Sequence, residues 1–133
     1  MIDYVVDTSA LVDVFLMKGT SPDLRRSVMT GACAAPELLD LETANVLRKM
    51  VLRDDLAPAE ARETLRDIRD APILRVAHRH LVERVWELRH NVTIYDASYV
   101  ALAEKFDVPL LTSDARLGRS VGHDAEIVVY PSS

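Results

Sequence analysis

Four acidic residues, Asp7, Glu42, Asp96 and Asp114, stand where a carboxylate is costly to place. Asp7 follows Tyr4-Val5-Val6, and Asp114 follows Leu110-Leu111-Thr112-Ser113, so each reads as the tip of a buried strand. Asp96 lies near the start of a helix rich in small residues, and Glu42 is hemmed by Leu38, Leu39, Leu41 and Val46. Carboxylates in such places need hydrogen bonds or a cation. Several brought together raise one another's pKa values. An all-oxygen set of this kind suits Mg²⁺ or Mn²⁺. Two such ions can activate a water and stabilise the leaving oxygen of a phosphodiester. Taken singly, each acid has a second reading. Asp7 and Asp114 can cap the helices that follow them. Asp96 suits the positive end of its helix, and Glu42 can lie on a solvated edge near Arg48 or Lys49.

The elements that would position these acids alternate along the chain. A strand through Tyr4-Val5-Val6 leads into a helix carrying Ala10, Leu11, Val14 and Phe15, with Thr8 or Ser9 as its expected N-cap. Ser21-Pro22 opens a short helix reaching Met29, which Gly31 ends. Ala32 to Ala35 is a short buried strand stopped by Pro36. A long helix over 37–53 should face the core with Leu38, Leu41, Val46 and Met50. Pro58 opens a helix to Asp70 with Ala61, Leu65 and Ile68 inward, and an extended piece covers 73–76. An amphipathic helix spans His80 to His90, a helix closed by Asp107 starts at Thr93 or Ile94, and strands cover 108–112 and 127–130. Alternation of this kind predicts an α/β fold, a three-layer α/β/α sandwich with a central, mostly parallel sheet. Ligands of such sheets sit beyond the carboxyl ends of the strands, where Asp7 and Asp114 fall.

With 133 residues and no repeat or linker, the chain reads as one domain over 1–133. It shows neither an apolar run of membrane-spanning length nor a signal peptide, so no membrane partner is expected and the location is read as cytoplasmic. The lone Cys33 excludes an internal disulfide and a cysteine metal knuckle. A net charge of −5 argues against a general nucleic-acid binder. That argument weakens if acids gather in one cleft and bind cations, because the total then misdescribes the working surface.

Val5-Val6-Asp7-Thr8-Ser9-Ala10-Leu11, Pro36-Glu37-Leu38 with Glu42 and Val46-Leu47, Tyr95-Asp96-Ala97-Ser98-Tyr99 through Ala103, and Leu111-Thr112-Ser113-Asp114-Ala115-Arg116-Leu117 occur in this order over nearly the whole chain. In these stretches the chain resembles PIN-domain ribonucleases, most closely the VapC toxins of toxin–antitoxin pairs. The resemblance implies a PIN-like fold and a four-acid site in which Asp7, Glu42, Asp96 and Asp114 are catalytic and hold Mg²⁺ or Mn²⁺. It implies endoribonuclease activity through a metal-activated water. It also implies a supporting role for Ser9 and Thr112, a homodimer, and a cognate VapB-type antitoxin partner.

Arg116 and Arg119 follow Asp114 within about one helical turn and are the candidates for RNA contacts; a solvated face is the other reading of each. Trp86 and Tyr99 read as packing residues, with stacking on an RNA base as the other reading of each, and His78 and His80 read as surface. Two other functions compete. A catalytically silent PIN-like binding module would be betrayed by loss of one acid, and all four are present. A receiver-like Mg²⁺-binding signalling domain wants an acidic pair after the first strand and a lysine after a late one. Here Thr8 follows Asp7, and no lysine follows Leu110-Leu111-Thr112.

Overall fold

The computed structural model describes residues 1–17 and 19–131. Its centre is a five-stranded sheet, every pair parallel: β1 (Tyr4–Val6), β2 (Cys33–Pro36), β3 (Leu74–Val76), β4 (Leu110–Thr112) and β5 (Ile127–Val129), in the order β3-β2-β1-β4-β5. Val5 pairs with both Ala34 and Leu110, so β1 is the middle strand. Val5, Val6, Ala34, Ala35 and Leu110 are wholly buried, which accounts for their unbroken apolar runs. From β1 the chain walks outward through β2 to β3, then returns to build β4 and β5 on the other side. That reversal makes the ends of β1 and β4 a topological switch point, where a crevice opens beyond the strands.

Helices α1 (Thr8–Leu16), α2 (Pro22–Thr30), α3 (Leu39–Leu52) and α4 (Pro58–Asp70) pack on one another around α1. Helix α5 (Val82–Glu87) lies on α6 (Ile94–Phe106), which crosses β1, β2 and β4; the short α7 (Ala115–Gly118) sits on β5. The result is the expected three-layer α/β/α sandwich. In α6 every residue from Ala97 to Ala103 is buried. Its small side chains let the helix lie close to the sheet, and Asp107 ends it in the left-handed conformation at φ 54°. Among the described residues no helix is long and apolar enough to cross a membrane.

The structure corrects several local expectations. Asp7, not Thr8 or Ser9, caps α1, its carboxylate accepting from the Ala10 amide. Pro36 does not stop β2 but is its last residue, opposite Val76, a strand-end position that does not need its missing N–H. Helix α3 begins at Leu39 rather than Glu37, and its buried face is Leu39, Thr43 and Leu47. Leu41 is 79% exposed. The stretch 80–90 is a 3₁₀ turn (Arg79–Leu81) followed by the six-residue α5. Trp86 does not pack in the core; it is 61% exposed, with the Arg89 guanidinium 4.5 Å from its ring centre.

Candidate active site

Asp7 leaves β1 at the switch point and is buried. Strand geometry and the start of α1 turn its carboxylate back toward the chain. Oδ1 accepts from the Ser9 hydroxyl at 2.7 Å and the Ala10 amide at 3.0 Å, and Oδ2 accepts a short bond from the Thr112 hydroxyl. Thr112, the last residue of β4, also accepts from the Asp114 amide at 3.0 Å, while Ser9 accepts from the Ser113 amide at 3.0 Å. Each hydroxyl therefore gives its one proton to Asp7 and takes an amide from the chain leading to Asp114. The ends of β1 and β4 are laced together by side chains where the ladder stops. Burial pushes the Asp7 carboxyl up to about 6 despite these donors, with the Asp96 charge adding to the rise.

Glu42 is held from two other elements. Its Oε1 accepts from the Thr8 hydroxyl of α1 at 2.7 Å and from the Tyr99 hydroxyl of α6 at 2.7 Å. Tyr99 is 1% exposed, and burial next to the Glu42 charge raises its phenol well above the ordinary value, so it stays a donor. Thr8 and Tyr99 lie 3.1 Å apart, each with its proton engaged on Glu42.

Asp96 occupies the first turn of α6, capped by Thr93. Its carboxyl is also raised, chiefly by burial and further by the charges of Glu42 and Asp114. Asp114 caps α7 through the Arg116 amide at 2.9 Å, and the exposed Arg116 guanidinium lies 3.5 Å from it. Asp96, Asp114 and Arg116, with Thr93 and Ser120, line a cleft of about 190 Å³. Arg119 is exposed and lies outside that lining.

The sequence-derived acids thus come to one end of the sheet, within electrostatic reach of one another, with Ser9 and Thr112 on Asp7. The pull of burial and mutual repulsion is opposed mainly by hydroxyls and amides, with the Arg116 guanidinium adding to them at Asp96. No three His, Cys, Asp or Glu side chains among the described residues converge as a ready-made cage. The donor set nevertheless fits a hard divalent cation: all oxygen, anionic and under-compensated.

Residues 4–121 match the model of the PIN domain. The chain belongs to the PIN-domain family. Ribonuclease VapC1 of Mycobacterium tuberculosis is 43% identical over 133 residues, spanning 96% of this chain and 97% of that protein. The crystal structure of PAE2754 from Pyrobaculum aerophilum superposes with a TM-score of 0.67 at 25% identity, covering 89% of this chain and 85% of that one. VapBC2 from Rickettsia felis, solved bound to a DNA fragment from their promoter, shares the fold at a TM-score of 0.65. It is 14% identical over 95% of this chain and 98% of its own.

Two hydroxyls of this PIN domain escape a reading of the sequence. Thr8 looks like a helix cap and Tyr99 like core packing; Tyr99 does pack, but both also grip Glu42. A signal for Tyr99 lies in its position three residues after Asp96, on the same side of α6.

Proposed function

We propose that this chain is a metal-dependent endoribonuclease, the toxin of a VapBC-type pair, working in the cytoplasm as a homodimer restrained by a VapB-type antitoxin. One observation supports the reading: Asp96 lies within electrostatic reach of Asp7, Glu42 and Asp114, so four acids from separate segments lie around the switch point of a PIN-domain sheet. These four would hold Mg²⁺ or Mn²⁺. Bound there, the ion lowers the pKa of a water and offsets charge at the scissile phosphate. One of the four acids would also accept the proton that the water loses. Ser9 and Thr112 keep the Asp7 carboxylate aimed. Arg116, at the rim of the cleft, offers a guanidinium to the RNA backbone, and Arg119 one helical step on offers another.

The antitoxin and the dimer need apolar surface, and the structure has some beside the site. A groove of about 430 Å³ is lined by Leu38, Val82, Trp86, Ile94 and Tyr95, most of them exposed. Exposed apolar surface of this kind supports a protein partner.

The test uses purified, antitoxin-free protein and labelled cellular RNA in Mn²⁺ or Mg²⁺. Discrete fragments are expected, lost in EDTA and in the Asp96→Asn and Asp7→Asn proteins. Cleavage that persists in Asp96→Asn would assign the activity to a contaminant. No cleavage by folded protein in either metal would favour a binding-only PIN domain.

A further inference from the structure

We infer that Tyr99 and Thr8 are positioning residues that make Glu42 a one-oxygen ligand in the active site. The inference rests on the proposed role of Glu42 in holding the metal ion. Both hydroxyls give their protons to the same oxygen, Oε1, at 2.7 Å each, and Oε2 accepts no hydrogen bond among the described residues. A carboxylate on a helix surface ordinarily swings among rotamers and can present either oxygen or both. Here one oxygen is occupied from α1 and from α6, so Oε2 is the one left to offer. Asp7 also has two hydroxyl donors, but Ser9 is on Oδ1 and Thr112 on Oδ2, so the one-sided grip is particular to Glu42. The consecutive residues Thr8 and Ser9 thus divide their labour, one holding Glu42 and the other Asp7. Partners that orient a ligand in this way carry a large share of metal affinity.

The two hydroxyls could instead serve only to tie α3 to α1 and α6. The Glu42→Gln protein separates these roles. Its amide oxygen still accepts both hydroxyls, so the tie survives while the anionic ligand is gone.

Mn²⁺ binding, measured by calorimetry and by electron paramagnetic resonance without RNA, is the readout. The proteins compared are wild type, Tyr99→Phe, Thr8→Val, Thr8→Ser, Glu42→Gln, and Tyr99→Phe in the Glu42→Gln background. Tyr99→Phe and Thr8→Val are each expected to weaken Mn²⁺ binding by about tenfold, with Thr8→Ser close to wild type. In Glu42→Gln, adding Tyr99→Phe should lower the melting temperature but leave Mn²⁺ affinity where it was. Tyr99→Phe and Thr8→Val binding Mn²⁺ within about twofold of wild type would overturn the inference. Glu42→Gln binding Mn²⁺ as tightly as wild type would instead remove Glu42 from the metal site, and the inference with it. Thr8→Val carries the test if Tyr99→Phe does not fold.

Discussion

Burial outweighs three hydrogen-bond donors at Asp7. Ser9, Ala10 and Thr112 all lower its pKa, yet desolvation still leaves it raised to about 6. Of these donors Thr112 acts most strongly, and its oxygen also satisfies the Asp114 amide. Thr112→Val keeps the shape and removes both bonds. It is expected to cost about 1–3 kcal/mol in stability, the usual penalty for stranding buried polar groups. It should also push the Asp7 carboxyl higher still, because a donor to the charged form is lost. Thermal melts and a carboxyl titration by NMR measure the two effects. An unchanged Asp7 titration would mean that the Thr112 bond does not form in solution. At this scale the sequence marked the four acids with Ser9 and Thr112 as candidates, and both hydroxyls do bond to Asp7. It missed what Thr8 and Tyr99 do, because their partner Glu42 lies 34 and 57 residues away. No local spacing encodes such a meeting.

Arg75 on β3 is the joint that sets the start of α3. Its guanidinium forms a two-pronged pair with Asp40, at 2.8 and 3.2 Å, and donates to the Ile68 carbonyl in the last turn of α4 and to the Ala71 and Ile73 carbonyls just beyond it. One side chain thus fastens β3, α3 and α4, with Asp40 only two residues before Glu42. Arg75→Ala is expected to destabilise the fold by about 2 kcal/mol or more, since charge-assisted bonds and helix-end carbonyls are lost together. A denaturant titration checks it, and a loss under about 0.5 kcal/mol would show the joint to be ornamental. Gly118 is a second constraint on elements. A Cβ there would run into the Val129 side chain, so Gly118→Ala should pry α7 from β5 and disturb Asp114, the cap of α7. The signature is a lower melting temperature accompanied by weaker RNA cleavage. Boundaries set by local chemistry were legible: Ser21-Pro22, Pro58, the Ile94–Phe106 helix and its Asp107 end all stand where their residues predicted. The faces of helices were not always so. Leu41 and Trp86 carry the right spacing for a core stripe but point outward. Period alone does not say which side meets the sheet.

For the molecule as a whole, the raised carboxyls set the pH dependence of the metal-free protein. Asp7 rises from 3.8 to about 6 on folding, so the folded state binds the proton more tightly. The neutral form is favoured in the fold, so this stability is fully present below pH 3.8 and is lost as pH rises through about 6. The shift corresponds to about 3 kcal/mol. Asp96 acts in the same direction. Glu104, lowered by the Arg84 guanidinium, acts oppositely, but its gain is complete once pH passes the ordinary glutamate value of 4.5. Between pH 4.5 and 6 the Asp7 contribution therefore dominates, and stability in EDTA should fall across that window. Saturating Mg²⁺ should reverse the fall at pH 7, by about 2.7 kcal/mol at a hundredfold excess over its dissociation constant. The gain should shrink at pH 5, where protons compete for the same oxygens. Melts at both pH values, with EDTA or MgCl₂, give the answer. Equal stabilisation at both would separate the metal from the raised carboxyls.

By itself the sequence determined the α/β class, the run of elements, the acids at the strand tips and the family resemblance. These follow from local patterns: apolar runs that must be buried, caps and prolines that start helices, and motifs that persist in order. Tertiary structure decided the strand order β3-β2-β1-β4-β5, the crevice between β1 and β4, and the hydroxyl pairs on Asp7 and Glu42. Those depend on which distant segments become neighbours. That choice is made by burial of the whole sheet and its helices at once, and no single stretch of the chain carries it.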